Sequence, residues 1–461
     1  MRKSALFLFG LVVTALVALG LTVLTSASEA NAGRIHGDVY FFLRRQFIYL
    51  AAGIFIAVVA ALFDYRWWRE KWVLTVLFYA VTFVLLLFVF RYRAVNGSQR
   101  WIDLGLIRLQ PSEFAKLATV ISLAVWLDRA GWRVELFRRG ALVAAAIIGG
   151  LALPVLVEPD FGSVVVIAAV GFLLMLISGV RLLHIATFFF CGVAVVVYKV
   201  ITNANRMARI AAFFGVTVGG VTPEDLDSAA CTVTTNQVQK VVTVDKVSYK
   251  GLVTTVDVRD SSGPLASIVT TDVRLADGSH RTTVVTNLAE SVADPAAKRA
   301  DYQAEQALIA IHNGGIAGVG LGESMQKQLY LPEAHTDFVF AIGAEELGLA
   351  FSLGAILLFA AFFGLSVYIA HQASDRLGRF IAFGMAFLIF FQAMFNIGVV
   401  CKALPTKGMA LPFFSYGGTN LLSSFFAVGM ILSVGIHSYR DRKRRIPNKV
   451  LLRHRPGRFR S

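Results

Sequence analysis

Apolar residues run along this chain in blocks of about twenty, separated by short polar and basic stretches. The blocks fall near residues 5–25, 45–63, 72–90, 112–128, 141–157, 162–179, 182–201, 338–369, 379–401 and 417–437. A helix needs roughly 20 apolar residues to cross the hydrocarbon core of a bilayer, so the pattern predicts an all-α polytopic membrane protein of about ten transmembrane helices. The first block follows Arg2 and Lys3 and is longer than the apolar core of a cleaved leader, so it reads as a retained first span.

The period changes between the seventh and eighth blocks. Residues 202–337 form one large connecting segment, and within about 216–300 the composition turns to Val, Thr, Asp and Ser, with runs such as Val253-Thr254-Thr255-Val256-Asp257-Val258. Alternation of this kind belongs to half-buried strands. Asp277-Gly278, between Ile268–Leu275 and Arg281–Leu288, carries a hairpin signal. The expected organisation is therefore a membrane domain over 1–201, a large extracytoplasmic loop over 202–337 with a small β-rich insert at about 216–300, a second membrane segment over 338–437, and a basic cytoplasmic tail over 438–461.

Composition narrows the class. The chain has 461 residues, 56% hydrophobic and 16% charged, where a soluble domain carries about 25% charged residues. That excludes an ordinary soluble enzyme. The formal net charge of +15 does not point to nucleic acid, because residues 440–461 hold ten Lys/Arg against one acid. A tail of this kind suits anionic membrane lipids on the cytoplasmic face. Arg2/Lys3, Arg66/Arg69/Lys71, Arg129/Arg133/Arg138/Arg139, Arg181, Arg376/Arg379 and the tail form one alternating set of connections, which places both termini inside. Arg91, Arg93, Arg100 and Arg108 run against that trend in an outer loop, where they either bind an anionic headgroup or snorkel to bulk lipid. The three cysteines are far apart and have neither metal-ligand spacing nor a disulfide framework.

Four polar clusters interrupt the apolar background, and ionisable groups at membrane depth are functional candidates. The first runs from Asn96 through Arg100, Trp101 and Asp103 to Gln110-Pro111-Ser112-Glu113-Phe114-Ala115-Lys116. Pro111 suits the first turn of a helix, and Glu113 and Lys116 then share a face, able to pair or to hold a substrate. The second, Glu158-Pro159-Asp160-Phe161-Gly162-Ser163, reads as a tight turn in which Asp160 caps the next helix. The third is the glycine-rich stretch 314–322 with Lys327, followed by Pro332-Glu333-Ala334-His335-Thr336-Asp337. Glycines permit close backbone approach to a ligand, and Asp337, where polar chain meets the next span, is a candidate general base. His335 and Asp337 are alternatively two ligands of a metal. The fourth, Lys402 to Asn420 with Lys407, Pro412 and Ser415, reads as a re-entrant loop whose lysines either face an anionic pyrophosphate or anchor the loop at the interface.

The phrases NGSQRWIDLG, QPSEFAK, EPDFGS, GLGESMQKQLYLPEAHTDFVFAIGAEELG and LPTKGMALPFFSYGGTN, in this order, resemble the SEDS family (shape, elongation, division and sporulation) over most of the chain outside about 216–300. PEAHTDF, Leu24-Thr25-Ser26-Ala27-Ser28 and Tyr40-Phe41-Phe42-Leu43-Arg44-Arg45-Gln46 are more similar to its division members than to its elongation members. The resemblance implies a ten-span bacterial inner-membrane polymerase of lipid II, acting at the septum beside other division proteins and a single-span class B penicillin-binding transpeptidase. It implies an essential aspartate at Asp337, the Glu and Lys of the QPSE-x-x-K motif at Glu113 and Lys116, and the loop tryptophan at Trp101. The β-rich insert departs from the family pattern by interrupting the path into Tyr302-Gln303. Asp337 is thus read as catalytic, and Arg100, Trp101, Glu113, Lys116, Lys327, His335, Lys407 and Ser415 as substrate-binding. A divalent cation, magnesium or manganese, is a candidate cofactor at the pyrophosphate. Two other classes compete on sequence grounds: a flippase for the lipid-linked precursor and a non-catalytic division scaffold.

Overall fold

A computed structural model describes residues 3–38, 40–91, 100–103, 108–158, 160–201, 232–244, 247–260, 263–274, 280–288, 295–328, 330–332, 334–405 and 408–453. The helices are α1 (Lys3–His36), α2 (Phe41–Leu62), the single turn α3 (Trp67–Glu70), α4 (Trp72–Phe88), α5 (Pro111–Ala130), α6 (Leu142–Val157), α7 (Phe161–Ser178), α8 (Leu182–Ile201), α9 (Pro295–Gly314), α10 (Val339–His371), α11 (Arg376–Val400) and α12 (Gly418–Arg453). Eight apolar helices among the described residues are long enough to cross a membrane. They are joined by α5, which carries Glu113, Lys116, Asp128 and Arg129 within a spanning length, and by the apolar α8. The chain is a multi-pass membrane protein.

Two compact units divide it. The first comprises residues 1–196 and 303–461 and contains the helical bundle. Helices α5, α11 and α12 are its most enclosed members, with Leu117, Val120, Ile121, Leu388, Ile389, Val428 and Ile431 in the core. Small residues set the close crossings: Gly53 of α2 lies against Phe425, Gly429 of α12 against the backbone of Ala57, and Gly384 of α11 against Val120 of α5. In α9, Ala304, Ala307 and Ala310 turn one narrow face inward.

Helix ends follow their local chemistry. Pro111 opens α5, Asp160 caps α7 by accepting from the Ser163 amide, and Asp375 caps α11 through the Gly378 amide at 2.9 Å. Gly179 closes α7 in the left-handed region. The connections sort into two sets by contact. Arg66 pairs with Asp441 and lies 3.7 Å from Asp375, while Arg69 pairs with Asp128 at 3.0 Å. In the other set, Gln110 meets Asp160 and Thr419, and His335 meets Phe42 and Tyr416. This division matches the alternation read from the basic residues.

The second unit covers residues 197–302. Within it β3 (Thr232–Val244), β4 (Val247–Asp260), β5 (Gly263–Arg274) and β6 (His280–Leu288) form an antiparallel meander. Register runs from Val244 opposite Val247 in the first hairpin to Arg274 opposite His280 in the last. Residues 275–279, which carry the Asp-Gly signal, lie outside the described residues. A further two-residue ladder, β1 (Ile102–Asp103) with β2 (Arg108–Leu109), structures the loop before α5, which the hydrophobic pattern leaves as irregular chain.

Candidate active site

The apolar block near 338–369 is too long for one straight crossing, and the structure gives the reason. Helix α10 breaks at Gly348, whose φ of 67° and ψ of −155° leave the helical region. The break frees the carbonyls of Glu345 and Glu346, which accept from the amides of Val319 and Gly320, each at 3.0 Å. The Leu349 amide donates back to Gly315 O at 3.0 Å. The glycine-rich stretch therefore makes a close approach to a helix backbone. A side chain at Gly314 or Gly318 would strike Ala344 O or Glu346 O.

Two buried carboxylates fasten this loop further. Glu345 accepts from the Ser324 hydroxyl and from the Gln326 amide at 3.3 Å. Glu346 accepts from Ser26 of α1 and from Lys327 Nζ at 3.3 Å. The Lys327 ammonium also donates to Gly322 O at 2.6 Å and to Ser26 Oγ at 2.9 Å. Its three protons are engaged and the residue is only 4% exposed. Lys327 braces the loop against α1 and α10, supplying the counter-charge that the buried Glu346 requires.

Glu113 and Lys116 pair at 2.7 Å, three residues apart on α5 and both buried. Glu113 also accepts from Ser423 at 2.9 Å and Asn420 at 3.4 Å on α12. Lys116 donates to Gln392 Oε1 of α11 at 2.6 Å, and Gln392 Nε2 donates to Ala410 O at 3.0 Å. The pair thus reaches into the loop after α11 through a side-chain amide. One turn further along α11, Asn396 Nδ2 donates to Met409 O at 2.5 Å and to Asp337 O at 2.8 Å. The sequence reading missed Gln392 and Asn396. The available signal was two amides four residues apart inside an otherwise apolar span.

Asp337 is half-buried in the turn entering α10, and its Oδ2 lies directly against Gly408. A Cβ at 408 would collide with that oxygen, so the glycine is what lets the carboxylate sit beside the loop. His335 packs its ring on Phe42 at 4.7 Å, and its carbonyl accepts from the Tyr416 amide at 2.9 Å. Ser415 is buried, and its hydroxyl accepts from the Leu411 amide at 2.7 Å. It closes the loop on itself. Lys407 lies outside the described residues. Among the described residues no three His, Cys, Asp or Glu side chains converge as a metal-binding group.

Trp101 and Arg100 are half-buried at the start of the short hairpin. Thr419 ties that hairpin to α12, donating to Arg108 O at 3.0 Å and accepting from the Gln110 amide at 3.2 Å. Asp160, beneath it, accepts from Ser163 Oγ at 2.7 Å, Ser112 Oγ at 3.0 Å and Gln110 Nε2 at 3.3 Å. Glu158 has no exposed surface and no hydrogen-bond partner on either oxygen among the described residues. Burial pushes its pKa up to about 8, with Asp160 adding to the shift and Arg100 opposing it. An apolar groove of about 670 Å³ runs between α1 and α10, lined by Leu19, Leu347, Phe351, Gly354, Leu357 and Leu358.

Residues 6–218 and 224–440 match the family model of the FtsW/RodA/SpoVE cell cycle proteins. The chain belongs to this family. Among its relatives, the probable peptidoglycan glycosyltransferase FtsW of Thioalkalivibrio sulfidiphilus is 34% identical over 92% of this chain and 87% of its own length. The protein of the same description from Trichlorobacter lovleyi is 32% identical over 92% and 91%. Stage V sporulation protein E of Bacillus subtilis is 30% identical over 95% and 98%. The fold is similar to that of a chain in a peptidoglycan synthase complex, with a TM-score of 0.62 at 21% identity over 94% of this chain and 98% of that one. It is also similar to the rod shape-determining protein RodA of Thermus thermophilus, with a TM-score of 0.55 at 19% identity over 94% and 96%.

Proposed function

We propose that this family member is a peptidoglycan glycosyltransferase that polymerises lipid II into glycan strands during cell division. The observation that carries the reading is the placement of Asp337. This half-buried carboxylate stands where the turn into α10 meets the loop after α11, and both segments are held by one asparagine. Relatives described as probable peptidoglycan glycosyltransferases support it.

In the reaction, the acceptor sugar's 4-hydroxyl attacks the donor's anomeric carbon. The new O–C bond forms as the bond to the lipid pyrophosphate breaks, and an α-linked donor gives a β-linked product. Asp337 takes the hydroxyl proton, a contribution of about 10² to 10⁴ in rate. Negative charge gathers on the departing pyrophosphate, which Arg100 and Lys407 meet. Glu113 orients Lys116 within the bundle through their ion pair. A divalent cation, magnesium or manganese, bound at the pyrophosphate would offset the same developing charge. The groove between α1 and α10 offers apolar surface to a polyprenyl tail. A class B penicillin-binding transpeptidase is the proposed partner, both termini are assigned to the cytoplasm, and the septum is the proposed site of action.

The test is polymer formation from purified lipid II by the detergent-solubilised chain with its transpeptidase partner. Wild type is expected to make glycan strands and folded Asp337→Asn to lose about 10²-fold or more of that activity. Full activity in the folded mutant would remove Asp337 as the base. Precursor translocation without polymer from either protein would support a flippase instead.

A further inference from the structure

Gln392 and Asn396 stand one helical turn apart on α11, so their side chains share a face. Both are buried in an otherwise apolar span, Asn396 at 1% exposure. Such a position is costly for an amide unless its polar atoms have partners. The partners here are unusual in kind. Asn396 uses one nitrogen to hold two carbonyls from separate segments, Asp337 O at 2.8 Å and Met409 O at 2.5 Å. Gln392 accepts from Lys116 at 2.6 Å with its oxygen and donates to Ala410 O at 3.0 Å with its nitrogen. Met409 and Ala410 are adjacent, and Gly408, next to them, touches the Asp337 carboxylate. The Asn396 oxygen is buried without a hydrogen-bond partner among the described residues.

We propose that Gln392 and Asn396 are positioning residues for the glycosyl transfer. Asn396 fixes the main chain of Asp337 relative to residues 408–410, and Gln392 ties the same residues to the Glu113–Lys116 ion pair. The inference rests on the polymerase reading above. Its physical basis is the steep dependence of proton transfer on placement: a shift of about 1 Å in a catalytic group costs on the order of 10²-fold. An aspartate at 396 keeps the size and removes both donors. A leucine at 392 keeps the bulk and removes the link to Lys116 and to Ala410. A glutamate at 392 keeps the acceptor for Lys116 while withdrawing the donor to Ala410.

The experiment measures kcat and KM for lipid II polymerisation by the full chain with its transpeptidase partner, alongside thermal unfolding of each variant. Asn396→Asp and Gln392→Leu are expected to lower kcat by about 30-fold to 100-fold with KM little changed, as for groups that act on the reacting aspartate rather than on substrate affinity. Gln392→Glu should fall between Gln392→Leu and wild type. The double variant Asn396→Asp/Gln392→Leu should be far less impaired than the product of the single losses, because both act on residues 408–410. Asn396→Ser serves if Asn396→Asp does not reach the folded state. Wild-type kcat in folded single variants, a loss confined to KM, or fully multiplicative losses would each overturn the assignment. A wild-type chain that makes no polymer would instead overturn the polymerase reading, and the positioning role with it.

Discussion

Glu158 and Asp160 sit two residues apart in one turn and have opposite surroundings. Asp160 receives three side-chain donors and an amide, whereas both Glu158 oxygens are buried without partners among the described residues. The charged form of Glu158 is penalised by burial and by Asp160 and relieved by Arg100, which leaves its pKa near 8 against an ordinary value of 4.5. The folded state therefore binds the proton more tightly than the unfolded chain does. The stabilising contribution is complete below about pH 4.5 and is lost as pH rises toward about 8. Glu158→Gln should remove that loss: its thermal midpoint should match wild type at pH 5 and exceed it by several degrees at pH 8.5. Equal midpoints at both pH values would show that the carboxyl is hydrated. At this scale the sequence identified Asp160 as a cap and placed Glu113 and Lys116 on one helix face, able to pair or to hold a substrate, because those relations lie within four residues. It could not distinguish Lys327 as a brace from Lys327 as a ligand, since Ser26 and Glu346 come from distant parts of the chain.

Helix α10 shows how an element can be located correctly and built differently from its pattern. Its 33 residues would reach about 50 Å as one helix, against a hydrocarbon core of about 30 Å. The excess is used by the buried half-helix before Gly348, laced to the glycine stretch. Gly318 has φ of +79°, and a Cβ there would meet Glu346 O. Gly318→Ala should therefore cost about 2–4 kcal/mol, combining left-handed strain with overpacking. Gly364→Ala, in the same helix with nothing within 4 Å, should be neutral or slightly stabilising. Thermal unfolding of the two variants in one detergent checks the contrast, and similar midpoints would mean that the lacing can shift aside. Apolar periodicity reports which face is buried, and it is silent about a break whose only mark is one more glycine among several.

Over the whole molecule, Asp337, Glu113, Lys116, Gln392 and Asn396 all belong to the unit formed by residues 1–196 and 303–461. The strands β3 to β6 belong to the other unit and contribute none of them. Replacing residues 216–300 by a short flexible linker should leave lipid II polymerisation within about threefold of wild type, since loop insertions are tolerated where the core does not use them. Loss of polymerisation in a deletion variant with an unchanged thermal midpoint would give the insert a part in the reaction. The strand alternation made this insert legible, and the apolar blocks made the membrane spans legible, because both signals are local and repeat along the chain.

The sequence by itself determined the membrane class, the long apolar helices and the strand pattern of the segment between the two halves of the bundle. Each follows from transfer free energies and side-chain periodicity, which act residue by residue along a helix or strand. Only the tertiary structure decided which polar groups are spent on one another. It set Lys327 against Glu346, closed Ser415 onto Leu411, left both Glu158 oxygens without a hydrogen-bond partner among the described residues and brought Asn396 to Asp337. In a low-dielectric interior a polar atom must find its partner across the bundle, and that partner is fixed by packing rather than by proximity along the chain.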